Sequence, residues 1–112
     1  MQEGSKFTAI FICNNVLTLG ALKALQERQV QIPQQLSIVS FDDPEWARLI
    51  APPLTCMAQP TYALGRAAAE LLLLKIAAAG SSSTEPDLTQ SPPPQLIVLK
   101  PTLVIRQSTA PL

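Results

Sequence analysis

A chain of 112 residues in which eight Lys and Arg balance eight Asp and Glu, with no histidine, has room for one modest core and carries no net charge. Without a cluster of basic residues it lacks the electrostatic footprint that phosphate binding requires, so strong nucleic-acid binding by these residues alone is excluded. The missing imidazole removes the commonest general base and transition-metal ligand, so neither catalysis nor a metal or other cofactor is expected.

Residues 1–6 are polar and lack the basic-then-apolar order of an export signal. Residues 7–13, Phe-Thr-Ala-Ile-Phe-Ile-Cys, are uncharged and rich in aromatic and β-branched side chains, which predicts a strand covered on both faces. A helix is predicted over 15–28, with Leu17, Ala21, Ala24 and Leu25 as its inward stripe and Asn14 or Asn15 as its cap. Leu19 lies off that stripe beside Lys23 and Gln26, as either an exposed leucine or part of a partner surface. Gln31-Ile32-Pro33 makes a turn, and residues 36–41 a second strand.

Asp42-Asp43-Pro44 then opens a short helix through Ile50, with Asp43 a plausible cap. Residues 54–58 form a weaker third strand, and a long helix follows over 61–79. Arg66, Glu70 and Lys75 are its only charges, so its apolar circumference needs cover on more than one side. The apolar stretch is interrupted and well short of the roughly 20 residues a membrane span requires. Residues 80–95 are polar and proline-rich and predict a mobile loop, 96–99 and 103–105 two closing strands, and 108–112 a tail. Strands alternating with helices predict an α/β fold of parallel βαβ units with a two-strand C-terminal closure.

Three apolar runs end in side chains suited to a hydroxylated ligand: Asn14-Asn15, Asp42-Asp43 and Gln59. In open α/β sheets, ligands bind just beyond the carboxyl ends of the strands. Asn14 can contact a ligand, cap the helix, or do both, while Asn15 is read chiefly as the cap. Asp42 can accept from two adjacent hydroxyls, and Asp43 then serves the next helix. Successive residues at a strand end point in opposite directions, so the two aspartates do not form an acid–base pair. Gln59 can meet a ligand or a backbone group. Trp46 is read as a surface or interface residue, and Cys13 and Cys56 as small buried hydrophobes, reduced as in a cytosolic protein.

The same residues carry a resemblance that spans 8–111. Thr8-Ala9-Ile10-Phe11, Cys13-Asn14-Asn15, Leu19-Gly20-Ala21-Leu22, the run Ile32-Pro33-Gln34-Gln35-Leu36-Ser37-Ile38-Val39-Ser40-Phe41-Asp42-Asp43, Pro53-Leu54-Thr55, Gln59-Pro60, Leu64-Gly65 and Arg106-Gln107-Ser108-Thr109 resemble the effector-binding domain of the lac repressor/galactose repressor family. The resemblance implies one lobe of a periplasmic-binding-protein-like fold and a small effector, often a sugar or related polyol, bound between two lobes. It further implies effector contacts at Asn14, Asn15, Asp42 and Gln59, and a homodimer surface at Leu19, Leu49 and Ile50. Asn15 stands where family members usually carry aspartate, and Ser40 where they usually carry glycine.

Family members begin with a helix-turn-helix that reads DNA, followed by a first lobe. Residues 1–112 are therefore expected to form a partial effector-binding domain resembling the last third of such a protein, with DNA contacted only through the domain it lacks. A solute-binding protein of a transport system shares the fold, and a dimerisation module without ligand is a further possibility. A small α/β enzyme fits least, for want of histidine, a phosphate-cradling glycine loop and a nucleophile motif.

Overall fold

The computed structural model describes residues 7–80 and 94–111. Their order is β1 (Ala9–Ile12), α1 (Asn15–Glu27), β2 (Ser37–Phe41), a 3-10 turn (Glu45–Arg48), β3 (Thr55–Ala58), α2 (Thr61–Gly80) and β4 (Thr102–Val104). The described parts of Met1–Gln59 and Pro101–Leu112 make one compact unit, and those of Pro60–Lys100 a second.

The first unit is a four-stranded sheet in the order β1-β2-β3-β4. β1, β2 and β3 run parallel, with Ile12 beside Ser40 and Phe41 beside Met57. β4 closes the sheet antiparallel to β3, pairing Val104 with Cys56 and Thr102 with Ala58. The predicted α/β order with parallel strands is present. Of the two expected closing strands only the second forms, because residues 94–100 have no regular secondary structure. Aliphatic composition at 96–99 favours an extended chain, but a strand also needs an edge to pair with.

The core is small and lies against the middle of the sheet. Ile12, Ile38, Ala47, Leu54 and Cys56 are buried, with Ala21, Leu22, Leu25, Ile32, Trp46 and Ile50 packed against them. Full burial of an aliphatic such as Ile38 or Leu54 contributes roughly 1.5–3 kcal/mol. Trp46 therefore belongs to the core margin, contrary to its reading as a surface residue. The 3-10 turn folds back on the sheet, with Leu54 N–H donating to Ala47 O at 2.8 Å.

Three further expectations are corrected. β1 is an edge strand, not one covered on both faces: Ile12 is buried, but Ile10 and Phe11 are 37% and 55% exposed. Cys13 follows the last residue of β1 and is exposed, whereas Cys56 is buried. α1 turns Thr18, Ala21, Leu22 and Leu25 inward and leaves Leu17 and Ala24 exposed. Its inward stripe contains a polar residue because Thr18 Oγ1 donates to Asn14 O at 2.7 Å and so is satisfied without water.

α1 is closed just past its cap Arg28 by Gln29, whose φ of 57° lies in the left-handed region. Its N–H donates to Gln26 O, and that of Val30 to Leu25 O, both at 3.0 Å. This is the double closure that usually recruits glycine at the left-handed position.

α2, in the second unit, has no buried residue, and Leu72, Leu73, Leu74 and Ile76 are exposed. Its Arg66 and Glu70 pair along the helix surface, Nε to Oε1 at 2.7 Å. Among the described residues no helix is long and apolar enough to cross a membrane. The loop predicted over 80–95 falls largely on 81–93, outside the described residues.

Candidate functional site

Because β1, β2 and β3 are parallel, their carboxyl ends share one edge of the sheet. Asn14 stands two residues past Ile12 and Asp42 two past Ser40, and Ile12 and Ser40 are paired, so the two ends lie level. Gln59 follows the last residue of β3.

Asn14 is the cap of α1. Its backbone is extended, its Oδ1 accepts from Leu17 N, and its carbonyl accepts from Thr18 N at 3.0 Å. The capping bond is 2.9 Å. The expected division between the two asparagines is thus reversed. The cap engages Oδ1 of Asn14, while Asn15 becomes the first helical residue. Asn15 Oδ1 is shielded from solvent and has no hydrogen-bond partner among the described residues. An acceptor left in that state costs about 1–3 kcal/mol.

Asp42 has φ 79°, a region L-residues seldom occupy, and aspartate tolerates it better than most. Strained backbone of this kind costs of order 1–3 kcal/mol and concentrates at ligand clamps. Asp42 N–H donates to Met57 O at 2.9 Å, tying the bend to β3. Its carboxylate accepts from Gln59 Nε2, so two of the expected site residues touch. Together the strand ends offer carboxylate and amide acceptors beside amide donors, a set that matches hydroxyl groups, which both donate and accept.

Asp43 does not cap the 3-10 turn, which has no side-chain cap. It points instead to Arg106: Nη1 and Nη2 donate to Asp43 Oδ1 and Oδ2, each at 2.8 Å. The two side chains are only 17% and 22% exposed. The Arg106 guanidinium beside it holds the Asp43 carboxyl below its ordinary value, chiefly through these hydrogen bonds. Asp42 and Asp43 do diverge, one toward Gln59 and the other toward Arg106.

Arg106 and Ser108 are the residues that reasoning from strand ends missed. Arg106 Nη1 also donates to Leu54 O at 2.7 Å and lies 3.7 Å from Cys56 Sγ. Ser108, expected in a tail, is buried: its Oγ donates to Ile38 O at 2.6 Å and accepts from Thr55 N at 2.8 Å. Arg106-Gln107-Ser108 did stand among the motifs of resemblance, but no local spacing ties it to Asp43 or Ile38. Beneath the guanidinium, Ser40 Oγ and Cys56 Sγ are 3.1 Å apart, which gives the serine in β2 a partner. Burial pushes the Cys56 thiol up.

Of the expected interface residues, Leu19 and Leu49 are 51% and 77% exposed. Ile50 is half-buried against the core. Val16 and Leu17 add to the open apolar surface of α1.

Comparison with known proteins supplies the family. The model of the periplasmic binding protein-like domain matches residues 2–109. The ribose operon repressor of Haemophilus influenzae is 36% identical over 108 residues, which is 96% of this chain and 29% of the repressor. A LacI family transcriptional regulator from Enterococcus faecalis, solved with bound ribose, superposes with a TM-score of 0.76 at 32% identity, over 96% of this chain and 36% of that one. The transcriptional regulator CelR, solved as a cellobiose complex, superposes with a TM-score of 0.73 at 30% identity, over 92% of this chain and 28% of that one. The chain spans less than a third of the length of the curated repressor it matches. It belongs to the periplasmic-binding-protein-like domain family, and within that family it is LacI-type transcriptional regulators that it resembles in sequence and fold.

Proposed function

We propose that this chain forms one wall of the effector cleft of a LacI-type transcriptional regulator and takes a small uncharged polyol, most simply a sugar, at the shared carboxyl edge of β1, β2 and β3. The observation that carries the reading is the Asp42–Gln59 contact, formed where Asp42 adopts φ 79°. A carboxylate held there accepts from adjacent ligand hydroxyls, and Gln59 and the Asn14 amide add further contacts. The ribose and cellobiose complexes of the two structural relatives support a sugar as the ligand class. No bond is made or broken at this site.

In the same proposal the regulator is a cytoplasmic homodimer that pairs through Leu19 and Leu49, with Ile50 at the margin. DNA is read by a helix-turn-helix outside these 112 residues. Effector binding alters the relation between two lobes and so shifts the DNA-binding population, which requires different contacts in the two states. The apolar surface of α2 takes its cover from the other lobe.

Isothermal titration calorimetry of D-ribose and cellobiose tests the site, using a longer protein that carries both lobes and Asp42→Ala as control. Binding that survives this substitution unchanged refutes the assignment. The 112-residue chain alone should bind no tighter than about millimolar, since one wall cannot bury the roughly 70–90% of ligand surface a good pocket covers.

A further inference from the structure

We propose that Arg106 is a positioning residue for Asp42: by forking the carboxylate of the neighbouring Asp43, it holds the chain at Asp42 in its left-handed conformation and keeps the Asp42 carboxylate turned to Gln59.

The fork is built from a rigid base. Arg106 N–H donates to Thr55 Oγ1 at 3.0 Å, and Nη1 donates to Leu54 O at 2.7 Å. Gln107 N–H donates to Pro53 O at 3.1 Å, and Ser108 is fastened to Ile38 and Thr55. The guanidinium therefore cannot follow a wandering Asp43; the aspartate must come to it. Both of its oxygens are taken, at 2.8 Å each, which fixes the direction as well as the distance of the side chain one residue from Asp42.

Asp42 has two restraints of its own, the N–H bond to Met57 O and the carboxylate contact with Gln59. The first fixes where the peptide enters the bend, the second where the side chain ends. Neither fixes the peptide that leaves the bend, and the Arg106–Asp43 fork does. It also sets the charge of the edge, since Asp43 is matched and the carboxylate of Asp42 alone faces the ligand side. Lysine cannot substitute, because a single ammonium offers no planar fork.

The importance of Asp42 for ligand rests on the effector reading above, whereas the conformational role does not, and the experiment separates the two. Isotope-labelled wild-type chain, Arg106→Lys and Asp43→Asn are compared by NMR through the φ-sensitive coupling and carbon shifts of Asp42 and the side-chain amide of Gln59. The same substitutions, carried in a longer protein that has both lobes, are then titrated with D-ribose by calorimetry. In both variants Asp42 is expected to lose its positive-φ signature and the Gln59 amide to shift, while the amides of Ile38 and Cys56 keep their wild-type positions. Ribose binding by the two-lobe variants should weaken with the loss of that signature. An Asp42 signature unchanged in both variants overturns the proposal, because Met57 and Gln59 would then suffice. A two-lobe wild-type protein that ignores D-ribose, with variant chains that still lose the signature, refutes the sugar reading and supports the positioning role.

Discussion

Ser108→Ala should be among the most destabilising single changes in this chain, although it deletes one oxygen from a segment with the composition of a tail. Ser108 is 0% exposed. Its hydroxyl donates to Ile38 O at 2.6 Å and accepts from Thr55 N at 2.8 Å, so the change strips a partner from an acceptor on β2 and a donor on β3 together. Water cannot replace either bond at zero exposure, and a buried group left unpaired costs about 1–3 kcal/mol. Two such groups give roughly 2–6 kcal/mol, reduced somewhat because the hydroxyl need no longer be desolvated; about 3 kcal/mol is expected, against a total stability of about 5–15 kcal/mol for ordinary domains.

Urea unfolding read by the single tryptophan, Trp46, which packs on the core, measures it. With a slope of about 1 kcal/mol/M, the midpoint falls by about 3 M or the variant is already unfolded in buffer. Ser37→Ala is the internal control: it removes the exposed acceptor of Ala110 N at 3.1 Å and should cost under about 1 kcal/mol. If the two alanine variants lose the same stability, burial is not what makes Ser108 matter and the reasoning fails.

Gln29→Gly relieves a left-handed residue at the end of α1 and should raise stability by about 0.5–1 kcal/mol, the steric relief exceeding the extra freedom of glycine in the unfolded chain; a loss of stability in the same urea assay refutes this. Asp43 is held below its ordinary value by Arg106, so its contribution is complete above about pH 4, where the unfolded carboxyl is ionised, and is lost as pH falls through the lower folded value. Asp43→Asn should therefore flatten the acid limb of stability against pH, and an unchanged limb contradicts the pairing. A chromogenic disulfide at pH 8 should titrate one thiol, Cys13, in the native chain and Cys56 only on unfolding; two fast thiols would be incompatible with the burial of Cys56. Asn14→Ala removes a cap and should cost about 1 kcal/mol, whereas Asn14→Ser restores most of it; equal losses in both would show that the amide itself is needed.

Local signals were legible where one segment decides its own structure. The strand–helix alternation, the turn before β2 and the long α2 follow from composition and proline placement, and the resulting parallel order by itself puts Asn14, Asp42 and Gln59 on one edge. What was not legible depends on partners distant in the chain. The strand propensity of 96–99 could not say that no edge would receive it, and the apolar run at 7–13 could not say which of its faces is covered. A serine and an arginine near the C-terminus carry no mark of Ile38 or Asp43.

The reversal at Asn14 and Asn15 has a different origin. Both residues are asparagines, so composition cannot choose between them; the choice falls to whichever can remain extended while its carbonyl starts the helix. Asn14 can, because β1 ends at Ile12 and delivers it already extended, and Thr18 gives its carbonyl a second donor from the hydroxyl. Asn15 is then carried into the first turn with its Oδ1 facing inward, away from water. The position where the family usually has a charge is here neutral, and its unpartnered oxygen is a local cost of about 1–3 kcal/mol that the cap and the Thr18 bond must offset.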